Sequence, residues 1–192
     1  MRVAPVGLVS DEAFSLATEV AAITHTHPTG YLAAGAFAHV IAELVRGKEL
    51  PAALASAQDR AAKEEGSSET VRAIGAALDL AVVEPVAKPE AIAVLGQGCV
   101  AEEALSIAAY CALTAGGFRN GVLAAVNHSG DSDSTGSMCG QLLGAILGGR
   151  AVPQDWVKGL AERAVVERLA EDLAAHFVDG LLLQDCDRYP TW

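Results

Sequence analysis

The chain has 192 residues, 52% of them hydrophobic and 19% charged, which is enough apolar material for one domain spanning residues 1–192 around a buried core. With 24 acidic residues against 13 basic ones the formal net charge is −11, and the basic residues are scattered singly, so no nucleic acid is expected as a partner. Cys99, Cys111, Cys139 and Cys186 stand far apart without Cys-x-x-Cys or Cys/His spacing, which excludes a zinc ribbon and argues against a disulfide framework.

No positively charged leader followed by an apolar core opens the chain, so a cytoplasmic protein is expected. The longest uncharged run, residues 20–42, is interrupted by His25, His27, Pro28 and His39, and reads as buried helices joined by a turn instead of a membrane span.

Taken in order, Ser10-Asp11-Glu12 offers a capping hydroxyl and two acids for a helix running to about residue 24. Pro28 and Gly30 then break the chain before a second helix over about 31–46, ended by Gly47. A third follows Pro51, and Gly66-Ser67-Ser68 stops it and caps a fourth over 69–80. Residues 85–89 read as a proline-bounded turn. Glu102 and Glu103 open a helix over 101–113, Gly116-Gly117 closes it, and residues 120–126 precede an acidic loop and a helix over about 136–147. Over 164–178, Val165, Leu169, Leu173 and Phe177 alternate with acids, the pattern of a surface helix with one buried stripe. With abundant Ala and Gly and only 5% aromatic residues, the reading is an all-α orthogonal bundle of short, closely packed helices.

Two stretches carry chemistry. Residues 127–136 gather Asp131, Asp133 and four hydroxyls between apolar runs. Two carboxylates two residues apart in a non-helical turn can bend toward one point, with Ser134 or Thr135 as a third oxygen, the shell a hard cation such as Mg²⁺ wants. The plainer alternative is an N-cap for the helix that follows, and the two are compatible. An Asp-x-Asp-x-Thr phosphatase motif would need a buried strand before it, and Asn127-His128-Ser129-Gly130 is no strand. An EF-hand would need Glu at the twelfth position, which is Leu142. The second stretch, residues 24–31, sets His25 and His27 with Tyr31 on one turn, either capping a helix C-terminus or forming a hydrogen-bonding platform for a substrate. Rows of small residues, Gly30, Ala34 and Ala38 and then Gly136, Gly140, Gly144 and Gly148, imply close backbone approach, since Gly inside a helix costs roughly 1 kcal/mol relative to Ala.

Four stretches, 1–8 (MRVAPVGL), 24–31 (THTHPTGY), 100–105 (VAEEAL) and 127–135 (NHSGDSDST), resemble the ADP-ribosylglycohydrolase family, and they occur in the family's order. The resemblance implies an all-α hydrolase with a dinuclear Mg²⁺ or Mn²⁺ centre that cleaves the link between ADP-ribose and a protein side chain or small acceptor. It implies Asp131 and Asp133 as catalytic and metal-binding carboxylates, Ser134 as a hydroxyl ligand that is Thr in many members, and His25, with Gly30 and Tyr31, as substrate-binding. The family also carries an early Thr-Asp-Asp-Thr motif and a small-residue phosphate loop ahead of the position of Met1. The chain therefore reads as the C-terminal two-thirds of such an enzyme, holding at most one metal site, with a homo-oligomer or a missing N-terminal segment as partner. The rival expectation is a catalytically inactive relative that serves as an ADP-ribose-binding or interaction module. Cys99 stands where relatives often carry Trp.

Overall fold

A computed structural model describes residues 1–180, and these fall into two compact units, 1–153 and, as far as it is described, 154–180. Among the described residues there are eleven α-helices, two short 3-10 turns and no strand, so the all-α expectation holds. None of the helices is long and apolar enough to cross a membrane. Cys186 lies outside the described residues.

The first unit contains α1 (Ala4–Val9), α2 (Ala13–Ala22), α3 (Pro28–Val45), α4 (Leu50–Ala61), α5 (Ser68–Val83), α6 (Pro89–Ile92), α7 (Ala101–Leu113), α8 (Phe118–Val126) and α9 (Ser132–Leu147). The second holds α10 (Gln154–Lys158) and α11 (Arg163–Phe177).

α3 is the centre of the first unit and packs against α1, α2, α4, α5, α7 and α9. Such a helix has no solvent face, and residues 32–44 are accordingly all apolar, Gly or Ala apart from His39 and Glu43. α7 is buried nearly as completely, with every residue from Ala104 to Ala112 enclosed. Tyr110 is wholly buried there, and its hydroxyl donates to the Glu84 carbonyl at 2.9 Å, tying α7 to the segment after α5. Side chains such as Phe37, Ile41, Leu54, Ile74 and Ile107 contribute about 1.5–3 kcal/mol each by leaving water.

Several boundaries differ from the sequence reading. Residues 4–9, not read as helix, form α1, because Pro5 is tolerated in a helix's first turn and Gly7 is a packing residue. A Cβ on Gly7 would stand 2.4 Å from the Ala38 carbonyl oxygen of α3. Ser10 starts no helix. It ends α1, and its hydroxyl accepts from the Glu12 N–H at 3.2 Å. Pro28 and Gly30 do not break the chain ahead of the second long helix but lie in its first turn, with His27 as N-cap. The expected turn over 85–89 ends in a one-turn helix, α6. Along α9 the glycine row divides: a Cβ on Gly136 would stand 2.4 Å from Val126 Cγ1 of α8, whereas nothing lies within 4 Å of one on Gly144. The expected buried stripe of α11 is also absent. Val165, Leu169 and Phe177 are about half exposed, and Asp172 is the helix's buried residue.

Near the C-terminal end of α3, Glu43 is 9% exposed and needs partners. Lys48 and Arg46 pair with it, and Ser56 Oγ donates to its Oε2 at 3.4 Å. Ser56 Oγ also lies 3.1 Å from His39 Nε2. The hydrogen bond from Lys48 is the chief reason the Glu43 carboxyl is held below the usual carboxylate range. Burial, the largest cause, lowers the His39 imidazole and so favours its neutral form in the folded state.

Two predictions follow from this packing. Both lowered groups bind protons more readily in the unfolded chain, so stability is full above about pH 6.5, the ordinary His value, and declines as pH falls through 6.5 and then below 4.5. Urea titrations across this range are expected to show both stages, with Glu43→Gln losing the lower stage and about 1–2 kcal/mol at pH 7. A stability unchanged between pH 7 and pH 4 would contradict the network. The glycines should separate by sign in the same assay: Gly7→Ala loses about 1–3 kcal/mol through the clash with α3. Gly144→Ala, with open space, gains about 0.5–1 kcal/mol.

Candidate functional site

A cleft of about 830 Å³ opens in the first unit. Its walls bring together four stretches far apart in sequence: residues 1–3, 25–30, 98–102 and 131–138. Of the site residues expected from the sequence, His25, Gly30, Asp131 and Ser134 line it. Tyr31 and Asp133 are not among the lining residues: Tyr31 is half-buried against the core, and Asp133 is exposed in the first turn of α9.

The beginnings of four helices reach this cleft, through Thr29 and Gly30 of α3, Glu69 of α5, Ala101 and Glu102 of α7, and Asp131 and Ser134 of α9. The first turn of a helix carries unpaired N–H groups and the positive end of the macrodipole. Such ends suit carboxylates, and Glu69, Glu102 and Asp131 stand there in the walls.

The acidic stretch is not the non-helical turn the sequence suggested. Asp131 is the N-cap of α9, and Asp133, Ser134 and Thr135 lie in its first turn. The reason is the capping alternative: the Ser134 N–H donates to Asp131 Oδ1 at 3.5 Å and to Asp133 Oδ1 at 2.9 Å, which satisfies a donor the helix leaves free. The two carboxyls still converge. A hydrogen bond with the Asp133 carboxyl, then one from Ser134, hold the Asp131 carboxyl below the usual range.

Thr135 settles which hydroxyl faces the cleft. It is fully buried, and its Oγ1 donates to the Ala125 carbonyl at 2.7 Å while standing 2.9 Å from His128 Nε2. His128 Nδ1 accepts from the Gly130 N–H at 3.2 Å, so its proton sits on Nε2, which donates to Thr135. Thr135 is thus spent on pinning the loop, and Ser134 is the hydroxyl that lines the cleft.

Neither histidine of residues 24–31 caps a helix C-terminus, and both line the cleft. His27 caps α3: its Nδ1 accepts from the Thr29 N–H at 3.4 Å and lies 2.6 Å from the Thr29 hydroxyl. His25 is held from behind. Its Nδ1 lies 2.9 Å from Thr24 Oγ1, which accepts from the Arg2 guanidinium at 2.7 Å. Arg2 also donates to the Val20 carbonyl at 2.9 Å, an unpaired acceptor in the last turn of α2. With Nδ1 engaged, Nε2 is the ring atom of His25 left for a ligand. No local pattern marks Arg2, whose partners lie 18 and 22 residues away.

Glu102 and Glu103 point to different tasks. Glu102 lines the cleft, and its Oε2 is enclosed without a hydrogen-bond partner. Glu103 folds back on its own helix start, its Oε2 accepting from the N–H groups of Gln97 at 2.9 Å and Gly98 at 3.1 Å. Reading both as acids that open a helix missed this second role, though Gly-x-Gly just before the helix marks a loop of special conformation.

For a divalent cation, two adjacent carboxyls and a hydroxyl are the oxygen donors that Mg²⁺ or Mn²⁺ takes, and two carboxyls this close favour a proton or a cation between them. Among the described residues no group of three or more His, Cys, Asp or Glu side chains stands ready to hold a metal. Asp131, Asp133 and Ser134 therefore fit part of a coordination shell.

Comparison with known proteins agrees with the geometry. The profile of the ADP-ribosylglycohydrolase family matches residues 1–181. An uncharacterized protein of Archaeoglobus fulgidus is 32% identical over 178 residues, covering 90% of this chain and 56% of that protein. An ADP-ribosylarginine hydrolase, Tri1, of Pseudomonas putida strain GB-1 is 31% identical over 71 residues, covering 37% of this chain and 19% of the relative. The chain thus spans about half the length, or less, of these two relatives. The chain belongs to the ADP-ribosylglycohydrolase family.

Proposed function

We propose that the cleft binds an ADP-ribosyl group and takes part in hydrolysing its glycosidic link to an acceptor, with Asp131 and Ser134 as its cation-binding donors, Asp133 behind them, and His25 as a ligand contact. The observation that carries this reading is the meeting of Asp131, Ser134 and His25, from opposite halves of the sequence, in one cleft of about 830 Å³. That volume suits a ligand of nucleotide size. Arginine is the first acceptor to test, because one relative is named an ADP-ribosylarginine hydrolase.

A bound Mg²⁺ or Mn²⁺ would supply Lewis-acid polarisation of ribose hydroxyls and of a water. The chain's own residues do the rest. Asp131, kept ionised by its neighbours, accepts hydrogen bonds from hydroxyl groups of the ligand. Ser134 adds a neutral oxygen beside it. His25, fixed through Thr24 and Arg2, presents Nε2 without further loss of side-chain freedom. The four helix starts favour the negative diphosphate.

A second reading, a module that binds ADP-ribose without turning it over, is favoured by the lack of a three-donor cluster among the described residues. Three oxygens hold at most one cation, so calorimetry is expected to find a single weak Mn²⁺ site. Asp131→Asn should abolish that site while the chain stays folded, since Asn caps a helix as well as Asp. Release of free ADP-ribose from an ADP-ribosylarginine peptide, followed by chromatography with Mn²⁺ present, should fall about 100-fold or more in the same variant. Two tight Mn²⁺ sites, or full release by Asp131→Asn, would overturn the donor assignment. Binding of ADP-ribose with no release by the unaltered chain would select the second reading.

A further inference from the structure

Asp131 is held from inside by the Thr135 pin, and from outside by a loop belonging to another helix. Its backbone N–H donates to the Gln97 carbonyl at 2.7 Å. That N–H precedes α9 and has no partner within the helix, so the carbonyl is what anchors it. Gln97 in turn is held by Glu103, whose Oε2 takes the N–H groups of Gln97 and Gly98 together. The peptide groups of residue 97 thus face two ways, the N–H toward Glu103 and the carbonyl toward Asp131.

The surroundings admit no looser arrangement. A Cβ on Gly130 would stand 1.9 Å from the Gln97 oxygen, so only glycine lets the carbonyl reach the neighbouring Asp131 N–H. Gly96 has φ +117°, and a Cβ there would stand 2.3 Å from Glu103 Cδ. A Cβ on Gly98 would stand 2.8 Å from Thr135 Cγ2. Gly130 and Gly96 are fitted to one strut that runs from Glu103 through Gln97 to Asp131, and Gly98 to the Thr135 side chain beside it.

We infer that Glu103 is a positioning residue for the site: by gripping the N–H groups of Gln97 and Gly98 it fixes the Gln97 carbonyl that sets the Asp131 backbone, and with it the direction of the Asp131 carboxylate in the cleft. This rests on the proposed role of Asp131. Glu103 acts as a double acceptor, a task its charge strengthens and its shape defines. An amide oxygen at the same reach does the same more weakly, whereas a methyl group cannot.

The test compares the full chain with Glu103→Gln and Glu103→Ala in two measurements. Hydrogen exchange of the Asp131 amide, followed by NMR, is expected to quicken at least ~10-fold in Glu103→Ala and to stay near the unaltered rate in Glu103→Gln, with other α9 amides little changed. Mn²⁺ affinity, read from the free-ion EPR signal, is expected to fall ~10-fold in Glu103→Ala and to recover in Glu103→Gln, the scale of losing an outer-shell partner. An Asp131 amide as protected in Glu103→Ala as in the unaltered chain, or a Gln variant as impaired as the Ala variant, overturns the inference. Should Glu103→Ala not fold, Glu103→Asp replaces it: one methylene shorter, it cannot span both N–H groups, and unaltered exchange there overturns the inference as well. Failure of the unaltered chain to bind Mn²⁺ would instead remove the metal reading of Asp131, and the exchange measurement would still decide what Glu103 does.

Discussion

A helix with no face toward water governs this fold. α3 is surrounded by six other helices, so its neighbours can approach only as closely as its side chains allow, and Gly35, Ala33, Ala36 and Ala38 keep those distances short. The same burial makes polar groups on α3 expensive. His39 and Glu43, the polar residues of its second half, are consequently joined with Ser56, Lys48 and Arg46 in one network at the end away from the cleft. The other end borders the cleft. His27 closes the N-terminus of α3, and the turn that carries it also carries His25.

The second constraint is local. α9 must pack its apolar side against α7 and α8 while its first turn stays polar, and Thr135 lies at the junction. Its hydroxyl, enclosed completely, is matched by Ala125 and His128, so the acidic end of α9 is fixed without using the groups that face the cleft. Capping and lining of the cleft are thus divided among adjacent residues: Asp131 does both, Thr135 serves the fold, and Ser134 is left to the cleft. Strength of packing and exposure of chemistry are reconciled within five residues.

How much of this could be read beforehand depended on distance along the chain. α7 was legible to the residue, because two acids, an apolar run and a glycine pair mark its limits without outside help. α1 was not, because Pro5 and Gly7 look like breakers until α3 lies against them. The start of α9 was misjudged for a related reason: Asp131 to Thr135 suggest a loop by composition, yet their short polar side chains are also what a helix start requires. His25, Gly30, Asp131 and Ser134 were found through motifs. Arg2 and Glu103 act through carbonyl and N–H groups of other segments, and no spacing within the sequence encodes such a contact.

The meeting of four helix starts has a consequence for the tempo of binding. The chain as a whole carries a formal charge of −11, so an anionic ligand of the kind proposed would be repelled at long range and could be held only within the cleft, where the helix starts lie near. Those two influences differ in reach. At about 0.1 M salt, fields from exposed charges fade beyond roughly 10 Å, while dipoles lining a recess remain effective at contact. For a diphosphate-bearing ligand of the kind proposed, moderate ionic strength would therefore quicken arrival by removing the outer repulsion, before it began to weaken the hold of the cleft itself. The acidic surface works as a filter on encounter, distinct from the recognition that follows.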